Sequence, residues 1–311
     1  MARLPITERH TIYRYKAKVG FGPDRFVAKM STRVTSFAGP IRPYTEGNRM
    51  SSALQPRPVI AIGILGLGEA GSAIAADLVA TGADIRGFDP LVPAPPGVAA
   101  RADEADAVRD ADLVLSVNSA HDARGALDKA LPALRPGTVW AEMNTTSPGL
   151  KRQLAEIASA RDVELVDVAL MATVLGNGLR SPLVVAGPAA DRFTEVLRPL
   201  GASVEVLDAP VGTAISRKLL RSVFYKGLAA AIVEALDGAE VAGCADWLGQ
   251  NIAGELAGFD ERTLDRLVTG SRKHARRRSA EMTAAAGQLR ELGVQPRVAT
   301  AAEDQLREHG R

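Results

Sequence analysis

Cysteine is almost missing from this chain of 311 residues: Cys244 stands alone, so no disulfide can form within it. Aromatic residues make up only 4% of the sequence, and nucleic acid is not an expected partner. No apolar run reaches eighteen residues and no secretory leader opens the sequence, which excludes a membrane-spanning helix and points to the cytoplasm. No metal centre is expected. What remains, 46% hydrophobic and 24% charged residues, suits a globular chain with enough core for two domains.

The net charge of +2 conceals an asymmetry: residues 1–57 carry 11 Lys or Arg against 3 Asp or Glu, and the remainder 27 against 33. That first stretch has scattered proline and glycine and no sustained period, so residues 1–57 are expected to be a flexible basic leader. Met30 and Met50 are alternative starts. A run of Arg272, Lys273, Arg276, Arg277 and Arg278 near the other end suits a solvated helix face.

The most informative stretch is VIAIGILGLGEAGSAIAADLVATGADIRGFDP, 59–90. Val59, Ile60, Ile62, Ile64 and Leu65 form the continuous apolar run of a parallel strand covered on both faces. Gly66, Gly68 and Gly71 then give G-x-G-x-x-G: a tight turn, an open backbone for a diphosphate, and close packing of helix on strand. Gly66, Leu67, Gly68, Glu69, Ala70 and Gly71 are therefore expected to cradle a dinucleotide at a helix N-terminus. Asp89, at the end of the second strand, suits ribose hydroxyls and would repel a 2′-phosphate, favouring NAD; Arg86 nearby leaves NADP possible.

Strand and helix patterns alternate from here to residue 208. A charged helix is expected over 101–112, then the strand DLVLSVN, whose end places Ser116 and Asn118 beside the cofactor. After a helix over 121–131 comes the strand TVWAEMN and the turn NTTSP, in which Thr146 or Ser147 caps a helix starting at Pro148 and leaves Asn144 and Thr145 for a ligand. The runs 164–171, 182–187 and 203–208 add three strands. The fold class expected is α/β, a Rossmann-type doubly wound sheet over 58–211, followed by an all-α C-terminal domain over 212–311. One long helix, 212–236, opens that domain and carries Lys218, Ser222 and Lys226, with Tyr225, on one face.

These ordered motifs resemble the β-hydroxyacid dehydrogenase, or 6-phosphogluconate dehydrogenase-like, superfamily over residues 59 to about 240. GLGEAG, the NTTSP turn, and Gly212 followed by Lys218 and Ser222 carry the likeness. The stretch 167–188 is similar to a subgroup whose helical C-terminal domain is of uncharacterised function. The resemblance implies hydride transfer between NAD(P) and a small hydroxy acid or its carbonyl counterpart. Lys218 is then the acid/base, assisted by Ser222, with Asn144, Thr145 and Met171 at the substrate, and a homodimer is the expected assembly. Two alternatives stand beside it: an imine reductase, against which Lys218 counts, and a dinucleotide-binding sensor or scaffold without catalysis. The family's Ser-Gly-Gly substrate loop is absent, its place taken by Ala169 to Thr173.

Overall fold

The computed structural model describes residues 60–311; the leader expected over 1–57, and Val59 of the first strand, lie outside the described residues. Eight strands form one sheet in the order β3-β2-β1-β4-β5-β6-β7-β8. They are β1 Ala61–Leu65, β2 Asp84–Phe88, β3 Ala99–Ala100, β4 Leu113–Ser116, β5 Val139–Glu142, β6 Glu164–Leu170, β7 Leu183–Ala186 and β8 Val204–Leu207. Pairing is parallel throughout except between β6 and β7, where Asp167 faces Ala186. Five helices connect them: α1 Glu69–Ala80, α2 Glu104–Val108, α3 Ala123–Ala130, α4 Pro148–Ser159 and α5 Ala190–Leu197.

Alternation along the strands divides the core into two layers. Leu113 and Leu115 join Ile62, Ile64, Ile74 and Phe193 on one face, while Val114 joins Trp140, Leu127 and Leu154 on the other. Both faces are dry, which is why these strands read as continuous apolar runs. The charged helix expected over 101–112 is shorter: Asp103 caps Glu104–Val108 by accepting from the Asp106 amide, and Arg109 leaves the helical conformation at ψ 124° and ends it.

After Leu207 no strand follows; α6 Thr213–Val241, α7 Ala245–Ala257, α8 Glu261–Lys273, α9 Ala275–Glu291 and α10 Arg297–His309 complete the chain. α6 runs five residues past its expected end because Gly238 lies inside it as a packing position, where an added Cβ would come 2.6 Å from Leu289 Cδ2. Ala214 and Ile215 bury its first turn against the sheet. Among the described residues no helix is long and apolar enough to cross a membrane, and no His, Cys, Asp and Glu cluster could hold a metal.

Candidate active site

Strand order reverses between β1 and β4, so the loops leaving their carboxyl ends diverge and open a crevice. Gly66 adopts φ 96° there, its amide donating to the Phe88 carbonyl at 2.9 Å. A Cβ on Gly66 would come 2.5 Å from the Val117 carbonyl oxygen and 2.9 Å from the Asn118 nitrogen, so the β1 turn lies directly on the β4 turn. A Cβ on Gly71 would collide with the Gly66 carbonyl, whereas one on Gly68 would meet nothing within 4 Å. The backbone at Gly68 thus faces open space at the start of α1, where no side chain caps the helix. These residues fit a diphosphate on the helix N-terminus, with Glu69 and Ala70 in the first turn.

Leu67 contributes main chain only: its side chain is buried in the core and its amide donates to Asp89 Oδ2 at 2.8 Å. Asp89 Oδ1 accepts from Leu91 and Val92 at 2.8 and 2.9 Å. Burial alone would raise the Asp89 carboxyl, but these three amides outweigh it and hold the group below the usual carboxylate range. A carboxylate has about four lone-pair sites, so capacity for ribose hydroxyls remains. Arg86 is already engaged: it bonds Asp84 Oδ2 through Nε and Nη2, at 3.1 and 2.6 Å, and the Arg109 carbonyl at 2.6 Å through Nη1.

At the next pair of strand ends, Asn144 Nδ2 donates to Ser116 Oγ at 3.1 Å. Ser147 caps α4 by accepting from the Leu150 amide at 3.1 Å, leaving Thr146 free of that duty. Asn118 Oδ1, Asn144 Oδ1 and Thr146 Oγ1 are buried with no hydrogen-bond partner among the described residues. Buried polar atoms are seldom left so, and a ligand's N–H or O–H groups would satisfy them.

Lys218 reaches this turn from α6, its Nζ donating to Thr145 Oγ1 at 2.9 Å across 73 residues of sequence. Its ammonium form is disfavoured, first by burial and then by the charges of Lys151, Lys226 and Arg221, which lower its pKa from 10.5 to about 8. Ser222 is half-buried one turn further on, and its hydroxyl has no partner among the described residues. Met171 packs its side chain beside Ala169 and Ala214 and accepts from Arg221 Nη1 at its carbonyl, at 2.9 Å. Of the altered loop stretch, Ala169 and Leu170 belong to β6, and only Met171 to Thr173 leave the strand.

Beneath these groups lies a framework that the sequence reading left out. Lys151, fully buried on α4, donates to Asp167 Oδ1 and the Glu142 carbonyl at 2.7 Å and to the Val168 carbonyl at 3.0 Å. Asp167 Oδ2 accepts from Gly212 and Ile215 amides at 2.9 and 3.1 Å, capping α6. Glu142 receives the Asn144 amide and Trp140 Nε1, at 3.1 and 3.3 Å; burial raises its carboxyl, while Lys151 and these donors oppose the rise. Glu142 within TVWAEMN and Asp167 within ELVDVALM, each flanked on both sides by apolar residues, were the available signal. An apolar groove of about 360 Å³ among α6, α7, α9 and α10 lies away from the strand ends and is lined by Ala231, Trp247, Leu248 and Met282.

The glycine turn, the acid after β2 and the crevice at the strand ends define a dinucleotide-binding fold. Residues 61–211 match the NAD binding domain of 6-phosphogluconate dehydrogenase, and residues 239–309 match a domain of unknown function, DUF1932. The chain belongs to the 6-phosphogluconate dehydrogenase-like, or β-hydroxyacid dehydrogenase, superfamily. It is 28% identical over 152 residues to the probable 3-hydroxyisobutyrate dehydrogenase of Mycobacterium bovis, covering 46% of this chain and about half, 52%, of that relative. A conserved protein of unknown function, described as structurally similar to 3-hydroxyacid dehydrogenases, superposes with a TM-score of 0.53 at 26% identity, over 80% of this chain and 98% of that one. The imine reductase from Myxococcus stipitatus, in complex with NADP+, shares the fold at 19% identity with a TM-score of 0.67, over 80% and 93% of the two chains.

Proposed function

We propose that this protein transfers a hydride between NAD(P) and a small hydroxy acid or its carbonyl counterpart, with Lys218 as general acid/base. The observation that carries this reading is the 2.9 Å bond from Lys218 Nζ to Thr145 Oγ1. It holds an amine with a pKa of about 8 where β5 ends, near the strand ends that carry the glycine turn. The cofactor, when bound at Gly66 to Gly71, supplies the hydride acceptor or donor. In its neutral form Lys218 donates one N–H to Thr145 and keeps a lone pair for the substrate hydroxyl proton; in reduction it returns that proton. Asn144 and Ser222 place the substrate. Asp89, with Arg86 tied to Asp84, favours NAD over NADP.

Residues 58–211 act in this reading as the dinucleotide domain and 212–311 as the substrate and dimerisation domain, in a cytoplasmic homodimer. Reduction of a carbon–nitrogen double bond is the second reading, supported by the shared fold of the imine reductases; a sensor without turnover is the third. Titration with NAD and NADP followed by turnover on hydroxy acids, ketones and imines separates all three. On the first reading Lys218→Ala lowers turnover by about two to four powers of ten and leaves cofactor affinity near wild type. Lys218→Arg, unable to release a proton near neutral pH, behaves like the alanine variant. Unchanged turnover in Lys218→Ala overturns the assignment.

A further inference from the structure

The bond from Lys218 Nζ to Thr145 Oγ1 joins segments 73 residues apart in sequence, so its length depends on what holds each of them. One buried ion pair holds both: Lys151 and Asp167, 2.7 Å apart, have side chains wholly closed to solvent. On the side of Thr145, Lys151 Nζ donates to the Glu142 carbonyl at 2.7 Å, and the Glu142 carboxylate accepts from the amide of Asn144, the residue before Thr145, at 3.1 Å. On the side of Lys218, Asp167 Oδ2 accepts from the Gly212 and Ile215 amides at 2.9 and 3.1 Å, and Ile215 precedes Lys218 by close to one helical turn. Gly212, at φ 98°, brings the start of α6 down onto α4, where an added Cβ would come 3.0 Å from the Pro148 carbonyl oxygen. The third hydrogen of the Lys151 ammonium goes to the Val168 carbonyl at 3.0 Å, so this side chain has no donor left for a ligand.

We propose that Lys151 and Asp167 are positioning residues, which set the distance and direction of Lys218 Nζ at the Thr145 turn and so govern the rate of proton transfer there. The proton transfer rests on the hydride-transfer reading; the positioning itself does not. Burying two charges is a poor way to gain stability, because apolar side chains of similar volume commonly serve as well or better. What apolar side chains cannot supply is direction, and five directed bonds here fix α4, β5, β6 and α6 relative to one another. A misplacement of about 1 Å at a reacting group can lower a rate by about a hundredfold.

The test is the full-length double variant Lys151→Met with Asp167→Asn, since either substitution alone strands a buried charge and the two together do not. Circular dichroism should show it folded. Fluorescence titration should give an NADH affinity within about threefold of wild type, because the turn at Gly66 to Gly71 is built from β1 and α1. In its crystal structure Lys218 Nζ should lie beyond hydrogen-bonding distance of Thr145 Oγ1. Its kcat should fall about ten- to a hundredfold while KM changes by less than about threefold. Leu127→Ala is the control: it opens a cavity in the layer that also holds Leu154 of α4, without touching the pair, and should leave kcat within about twofold. A contact kept at the wild-type distance or a kcat at the wild-type level overturns the proposal, as does an equal loss of kcat in Leu127→Ala. If the wild type converts no hydroxy acid, ketone or imine, the hydride-transfer reading fails separately, and the crystallographic distance alone decides the positioning.

Discussion

Lys218 is the residue at which burial, charge and reach combine, and each has a measurable consequence. With a pKa of about 8 instead of 10.5, the amine is partly neutral near neutral pH, as a group that must both take and give a proton requires. Oxidation needs the neutral form, so kcat/KM for the alcohol should rise about tenfold per pH unit below 8 and level off above it. Reduction needs the ammonium and should fall above 8. The stability sign follows from the same shift. Between about 8 and 10.5 the unfolded chain binds a proton that the folded one does not, so folding is penalised below 8 and the penalty lifts as pH rises. Any advantage in melting temperature of Lys218→Met over wild type should therefore shrink between pH 8 and 10.5, by thermal denaturation of both proteins. A constant difference across that range would mean that Lys218 titrates normally.

At the scale of elements, apolar runs and glycine spacing made β1, β4, β5 and the turns after them legible, because a strand buried on both faces has no polar alternation to blur it. The turn at 144–147 was legible too, since Pro148 fixes where α4 starts. The antiparallel pairing of β7 was not, because direction depends on the crossover and not on the run of Leu183 to Ala186. Nor was the Lys151–Asp167 pair, whose members sit 16 residues apart in a helix and a strand. That pair joins four elements, because Lys151 on α4 bonds the β5 end below Asn144 while Asp167 on β6 caps α6, the helix bearing Lys218. Removing one partner strands a buried charge: Asp167→Asn should cost about 3–5 kcal/mol in urea unfolding. Asp167→Asn combined with Lys151→Met should recover much of that, by relieving the orphaned ammonium. Additive losses would mean that the two side chains are not energetically coupled.

For the molecule as a whole, the class was legible from one βαβ unit and the ordered motifs after it, but how the helical region covers its own apolar surface was not. Leu220, Val223 and Val233 on α6, Val241 at its end, and Trp247 on α7 are 57–73% exposed, and Leu264 on α8 is 51% exposed. Single exposed apolar residues are ordinary, but a group of this size on successive helices suits the covered face of the proposed homodimer. A second copy is the simplest occupant, since a two-fold axis lets one self-complementary patch serve both chains. A stable interface of this kind buries about 1,200 Å² or more in total, within reach of several helices. Static light scattering at micromolar concentration should therefore give twice the chain mass of 32.7 kDa. Leu220→Asp with Val223→Asp places two charges in the patch, away from Lys218 and Thr145. It should shift the species toward monomer, while circular dichroism retains the helical signal. A wild-type mass of one chain at that concentration would remove the dimer from the proposal, and the apolar groove near Trp247 would then require a different partner.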